Sequence, residues 1–230
     1  TLNGVSPRST DVLIPAFLAT YAGIDPNEVP LTARPGLSWI RPNWRVNYNG
    51  NPQSIDWMKD FIYSLNFNHS YKATYGLGQF ETNLGYKPDA NGISWARSPL
   101  NDTTFIPELA ITSVSIVEDF SPLINIDIGF VNDLSTRFEM RRTRNLNFSF
   151  ANLQMNEMIR TEFTLGVGYR FTGLDMIVKT KRQSKTVSND INMQLALTSS
   201  NYKTIFRPIN EPEGILQNGT QMFGVDFQAE

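Results

Sequence analysis

The chain has no cysteine and a single histidine, His69, in 230 residues. That excludes a disulfide framework and any thiolate metal site, and no spacing of calcium-loop type offers a substitute. Charge is sparse as well. Asp, Glu, Lys and Arg make up 18% of the residues, against roughly a quarter in ordinary soluble domains. The formal net charge is -2 and the basic residues are scattered, which sets nucleic-acid binding aside, because a phosphate backbone demands a basic patch. Long apolar runs are missing too. The nearest approach, VLIPAFLA at Val12 to Ala19, contains Pro15 and is far shorter than the ~18–20 residues of a membrane-crossing helix. No basic stretch followed by an apolar one opens the chain, so an exported protein would be represented here by its mature form or by a fragment.

Aromatic residues, at 12%, are plentiful, and their spacing carries the main signal. Residues 1–43 read as a lead-in. Asp11 to Ala22 predicts one short helix, with Asp11 as N-cap and Gly23 positioned to end it. Pro26, Pro30, Pro35 and Pro42 then make Ile24 to Asn43 an extended connector.

From Trp44 to residue 230 the period is two. Phe61, Tyr63, Leu65, Phe67, His69, Tyr71, Ala73 and Tyr75 share one face, with Ser, Asn, Lys and Thr between them. The same alternation returns at Ile124 to Phe130, Thr136 to Met140, Leu146 to Phe150, Phe163 to Phe171, Ile191 to Leu197 and Phe223 to Phe227. Parity changes at Thr172-Gly173 and at Ser199-Ser200-Asn201 read as turns, as does Phe120-Ser121-Pro122 after Glu118 and Asp119. The expectation is an all-β chain of roughly eight to ten antiparallel strands. Connections fall into short ones, such as Asn132-Asp133, and long polar ones at Lys87 to Asp102, Arg182 to Asn189 and Asn210 to Gly219.

A soluble β-sandwich and an outer-membrane barrel both alternate in this way. Length favours the barrel: globular strands average about five or six residues, whereas Phe61 to Tyr75 alternates without a break. At roughly 3.3 Å per residue and a tilt near 40° such a strand rises about 38 Å, more than a lipid band of roughly 25 Å. In a barrel the polar-register charges Lys72, Asp127, Arg137, Glu139, Glu162 and Arg170 would point into a wet lumen. Arg142 and Arg144 are the exceptions, sharing the parity of Phe138, Met140, Leu146 and Phe148. A lipid-facing arginine at the bilayer midplane costs about 2–4 kcal/mol, so both belong near the headgroups, in a bulge, or beneath a protein partner. The final MFGVDFQAE has no closing partner strand, consistent with a piece of a larger sheet.

No catalytic, metal or cofactor-binding constellation emerges. Asn68-His69-Ser70 on a strand is not a nucleophile elbow, and no base or carboxylate is spaced to serve His69. Gly76-Leu77-Gly78 and Gly166-Val167-Gly168 do not complete a dinucleotide loop leading into a helix.

Several stretches together resemble one family. DVLIPAFLATYAG (Asp11 to Gly23), PNWRVNYNG (Pro42 to Gly50), LNFNHSYKATYGLGQF (Leu65 to Phe80), VSIVEDFSPLINIDIGF (Val114 to Phe130), RRTRNLNFSFANLQMNE (Arg141 to Glu157), EFTLGVGYRF (Glu162 to Phe171) and NYKTIFRPINE (Asn201 to Glu211) occur in the order of landmarks in the C-terminal part of the SprA/Sov family, the outer-membrane translocon of the Bacteroidetes type IX secretion system. The resemblance implies a wall segment, in the bacterial outer membrane, of a very large single-chain barrel that passes folded cargo proteins. It implies as partners the remainder of that barrel, membrane lipid, a PorV-type shuttle barrel, a periplasmic plug protein and the cargo, with no enzymatic activity, cofactor or nucleic acid. The alternatives left open by the residues alone are a small porin-like outer-membrane barrel and a soluble β-sandwich adhesin or binding module.

Overall fold

Residues with alternating bulky and small polar side chains cannot bury an apolar stripe as a helix, but as strands they segregate it onto one face. The computed structural model describes residues 8–25, 28, 41–90, 94–98, 101–179, 184–208 and 213–230. The connector expected at Ile24 to Asn43 lies largely outside the described residues. In chain order the elements are α1 (Thr10–Ala22), β1 (Trp44–Gly50), β2 (Ile62–Leu77), β3 (Phe80–Thr82), β4 (Arg97–Ser98), β5 (Asn101–Phe105), β6 (Leu109–Ile111), β7 (Ser113–Phe130), β8 (Leu134–Ser149), β9 (Gln154–Lys179), β10 (Ser184–Pro208) and β11 (Ile215–Ala229). The fold is all-β with one short α-helix. A seven-stranded antiparallel sheet, ordered β1-β2-β7-β8-β9-β10-β11, dominates it, and β3-β6 and β4-β5 form two small ribbons within the β2–β7 connection.

Helix α1 begins at Thr10, one residue before the expected start, with Ser9 rather than Asp11 in the capping position. Asp11 instead lies in the first turn, where its charge suits the helix dipole. Gly23 closes the helix as expected: its φ of 73° is the left-handed conformation that costs glycine little, and the Ile24 N–H reaches back to Ala19 O at 2.9 Å.

Each of the three places that read as turns, two of them parity changes, has a different physical origin. At Thr172-Gly173 the strand continues, because two residues of β9 oppose Asp190 of β10 and form a bulge. Gly173 takes φ 71° there and donates its N–H to the Asp190 carboxylate at 3.2 Å. At Phe120-Ser121-Pro122 strand β7 also runs on. Residues 121–123 sit opposite Arg141 alone, between the pairs Phe120↔Arg142 and Ile124↔Met140, and an even number of extra residues leaves the facing unchanged. At Ser199 to Asn201 there is no irregularity at all: β10 pairs continuously with β9 from Ile191 to Pro208. There the polarity of the two faces exchanges while the backbone runs straight. Likewise the long loop expected at Arg182 to Asn189 is strand from Ser184 onward, and that expected at Asn210 to Gly219 is strand from Ile215.

Register fixes which side chains share a face. One face carries Val46 and Tyr48 on β1, Leu65 and Phe67 on β2, Ile124, Ile126 and Ile128 on β7, Phe138 and Met140 on β8, Phe163, Leu165 and Val167 on β9, Leu195 and Leu197 on β10, and Phe223, Val225 and Phe227 on β11. The other face carries the interleaved Asn, Ser, Thr and charged residues. Tyr63 folds over Gly129 at the bulge, and a Cβ there would come within 2.5 Å of the tyrosine ring and displace it.

Candidate functional site

The apolar face is divided into two regions of different character. The first is an uncovered band. Phe138, Phe163, Leu165, Val167, Tyr169, Phe171, Met193, Leu195, Leu197, Phe223, Val225 and Phe227 are each at least 36% exposed, and Phe223 reaches 76%. Monomeric soluble proteins rarely leave so large a continuous apolar surface open to water. On β9 the band runs from Phe163 to Phe171, about 26 Å along the strand and about 20 Å in height at a barrel-like tilt.

The second region lies at the opposite end of the same face and is covered by α1. Ile14 and Leu18, at 0% and 1% exposure, pack with Leu109, Ile111, Ile116 and Leu146, while Leu13 meets Val114 and Phe148. Phe17 stacks on Phe148 at 6.2 Å between ring centroids, and the Thr10 hydroxyl donates to Leu109 O at 2.9 Å. Strands β2, β7 and β8 span both regions: Leu65 and Phe67, Ile124 to Ile128, and Phe138 and Met140 lie on the apolar face beside the band, while Tyr75, Val114 and Ile116, and Leu146 and Phe148 meet α1.

Between the two regions the apolar register turns polar. The last apolar residue before the boundary is Phe120 on β7, Met140 on β8, Phe163 on β9 and Leu197 on β10. Phe120 lies level with Arg142, Met140 with Phe163, and Phe163 with Ser199. The boundary therefore drops two register steps over three strand spacings, ~13 Å against ~14 Å, a slope of about 40° to the perpendicular of the strands. On β11 the apolar set begins level with Ser199, at Phe223.

Above this line sits a charge cluster that the sequence reading only half anticipated. Arg144 donates from Nε to Glu157 Oε1 at 2.7 Å and from Nη1 to Glu118 Oε2 at 3.4 Å, and Arg207 donates from Nη2 to Glu157 Oε2 at 2.8 Å. Glu118 and Glu157 are 6% and 3% exposed. Two carboxylates and two guanidinium groups thus neutralise one another on an otherwise apolar face. The Tyr21 and Tyr71 hydroxyls both donate to Glu118 Oε1 at 2.8 Å, which ties the helix to the sheet through a polar contact. Burial of Tyr21 against the sheet, reinforced by the neighbouring Glu118 carboxylate, raises its hydroxyl pKa above the ordinary value near 10. A cleft of about 340 Å³ runs beside the helix, lined by Phe17, Tyr21, Leu146, Phe148 and Met155 with Arg144 and Arg207 at its polar side.

Arg144, expected in the headgroup region, in a bulge or under a partner, thus lies beside its own chain's helix. Arg142 stands at the boundary itself and is exposed. Glu118 sits within strand β7, not before a turn. The missed residues were Glu118, Glu157, Arg207, Tyr21 and Tyr71. One signal was available: Glu157 shares parity with Ile159, Phe163 and Leu165, so it is a carboxylate in the apolar register, the counterpart of Arg144 on the preceding strand.

Register places Lys72, Asp127, Arg137, Glu139, Glu162 and Arg170 together on the polar face. Arg137 Nε donates to Asp127 at 2.6 Å, Arg141 pairs with Glu139, Arg160 Nη2 reaches Glu162 at 2.8 Å and Arg170 Nη2 reaches Asp190 at 2.6 Å. Lys72 lies level with Asp119. Signs alternate closely, so the face is hydrophilic without a single-sign field. His69 sits in the apolar register, accepting from Trp44 Nε1 at 2.9 Å, with Nδ1 2.6 Å from Leu123 O. Among the described residues no three His, Cys, Asp or Glu side chains are grouped to hold a metal ion. No protein-family model matches the chain, and no curated protein does.

Proposed function

We propose that this chain is a stretch of wall from a large β-barrel in a bacterial outer membrane, one that conducts folded proteins in the manner of the SprA/Sov translocons it resembles. The observation that carries the proposal is the exposed apolar band. Its boundary slopes by about 40° across β7 to β10, close to the tilt of strands from the barrel axis in known barrels, and turns back by one step at β11. A flat bilayer edge drawn on tilted strands gives such a slope.

In this reading the band faces lipid and the opposite face lines a water-filled passage. Closely alternating charges and abundant amides on that lining suit the transit of unlike cargo, because no fixed field selects for one sign. Specificity and gating would then reside in partners, a PorV-type shuttle barrel and a periplasmic plug protein, and the wall itself would perform no chemistry. The sheet's outermost strands, β1 and β11, fit a wall segment as well. Unpaired backbone edges are not tolerated in hydrocarbon, so flanking strands from the rest of a larger barrel would be their neighbours. A small closed porin would need these same seven strands to meet each other, and a sandwich would need a second layer over the band.

The test is depletion of the full-length parent protein in cells, with its intact mass measured alongside. Secreted proteins should accumulate folded in the periplasm, and the parent polypeptide should be many times longer than 230 residues. Undisturbed secretion, or a mature polypeptide of about this length, contradicts the proposal.

A further inference from the structure

Among the described residues, two cations at the polar boundary have no ion-pair partner. Arg137, Arg141, Arg144, Arg160, Arg170 and Arg207 each face a carboxylate. Arg142 and Lys203, both exposed, make no ion pair or side-chain hydrogen bond among the described residues. Both occupy the apolar register, Arg142 level with Thr161 on β9, and Lys203 one step beyond Asn201, which is itself level with Thr161. Their Cα atoms are ~12 Å apart by strand geometry, so the two long side chains can close on a group seated over the short Thr161. Met140 and Phe163, on the rim of the uncovered band, lie one register step below Arg142 and Thr161, and Leu197 lies two steps below Asn201.

We infer that Arg142 and Lys203 form a seat for the phosphate of a bilayer lipid whose acyl chains lie on the band beneath, so that the seat marks the membrane–water boundary where β8 to β10 cross it. The inference rests on the membrane-wall proposal and adds to it the partner's chemistry and its position. The guanidinium can take two phosphate oxygens at once, while the ammonium supplies a mobile point charge. The Asn201 amide offers a further donor beside them. A free carboxylate occupant is disfavoured, because the exposed surface below the seat is apolar and would be left in water.

The experiment uses the full-length parent protein purified in mild detergent, titrated with phosphatidic acid or phosphatidylcholine and read by native mass spectrometry. Its companion reconstitutes the same protein in vesicles, washes them with carbonate and floats them. Phosphatidic acid should be retained in preference to phosphatidylcholine. R142Q or K203Q should weaken that retention about five-fold, the double variant about twenty-five-fold, and R142K should restore most of the Arg142 contribution, as roughly 1 kcal/mol per charge near an anionic lipid implies. Flotation with retention unchanged in R142Q/K203Q overturns the phosphate seat and leaves the membrane wall standing. Release of the wild-type protein by carbonate overturns both. Equal retention of the two lipids by the wild-type protein also overturns the seat, whatever the variants do.

Discussion

Removal of the Leu18 side chain should loosen α1 from the sheet without disturbing the strands. Leu18 is 1% exposed and sits among Ile14, Leu109, Ile111, Ile116 and Leu146. Leu18→Ala forfeits about 2 kcal/mol of transfer free energy and leaves a cavity that strands on a rigid sheet cannot collapse to fill, for a total of about 3 kcal/mol. Helix docking is a local equilibrium, so the loss appears as more frequent opening of α1, by about a hundredfold. Amide hydrogen exchange with mass spectrometry on the full-length parent protein reads it directly. Exchange should accelerate about that much in α1 and in Leu109–Ile111, and amides of β9 within the band should not change. Thr20→Ala serves as the control, since Thr20 is exposed and its hydroxyl bonds only to Ala16 O of its own helix, at 2.8 Å. A change under about five-fold in Leu18→Ala, or equal changes in the two variants, refutes the helix-covered patch as described.

Other consequences follow from the same geometry. Glu157→Gln should destabilise the β8–β9–β10 junction by about 2 kcal/mol, less than the 3–5 typical of a fully buried pair because Arg144 and Arg207 are 35% and 37% exposed. Glu162→Gln on the polar face should change stability by under about 0.5 kcal/mol, and comparable denaturation midpoints for the two would count against the cluster. Phe67→Arg, on the apolar face, should lower membrane assembly by about 2–4 kcal/mol relative to Asn66→Arg on the polar face, and equal yields of folded protein would reverse the face assignment. Because the folded state raises the Tyr21 pKa, the helix contact is fully present below the ordinary tyrosine value near 10 and is lost as pH climbs through the raised value. Protease cleavage of α1 should rise over that alkaline window in the wild-type protein, and an identical rise in Tyr21→Phe removes Tyr21 as its cause.

The strands were legible in the sequence because alternation is local: Phe61 to Tyr75 or Phe163 to Phe171 declares a strand and its two faces from spacing alone. The helix was legible for the same reason, with Gly23 as its stop. What spacing could not convey was the partner of each face. The residues of Ile116, Leu146 and Phe148 look like those of Ile126, Phe138 and Leu165, yet α1 covers one set and leaves the other open. That difference depends on a helix some hundred residues distant in the chain. Ser199 to Asn201 misled because a change of face polarity has two causes, a turned backbone or a changed environment, and the pattern cannot tell them apart. The charge cluster stayed hidden because Arg144, Glu118, Glu157 and Arg207 come from four different strands and meet only through register.

The central claim is that the uncovered band lies in hydrocarbon while the interleaved residues face water. Nitroxide labels placed singly at residues 161–171 of β9 in the membrane-reconstituted parent protein test it most directly, through relaxation by oxygen and by a water-soluble nickel complex. The account predicts a period of two, with oxygen dominant at 163, 165, 167 and 169, nickel dominant at 162, 164 and 166, and a fall in oxygen contact at 161 where the boundary is crossed. Uniform nickel access along the strand, or oxygen dominance at the even positions, contradicts it.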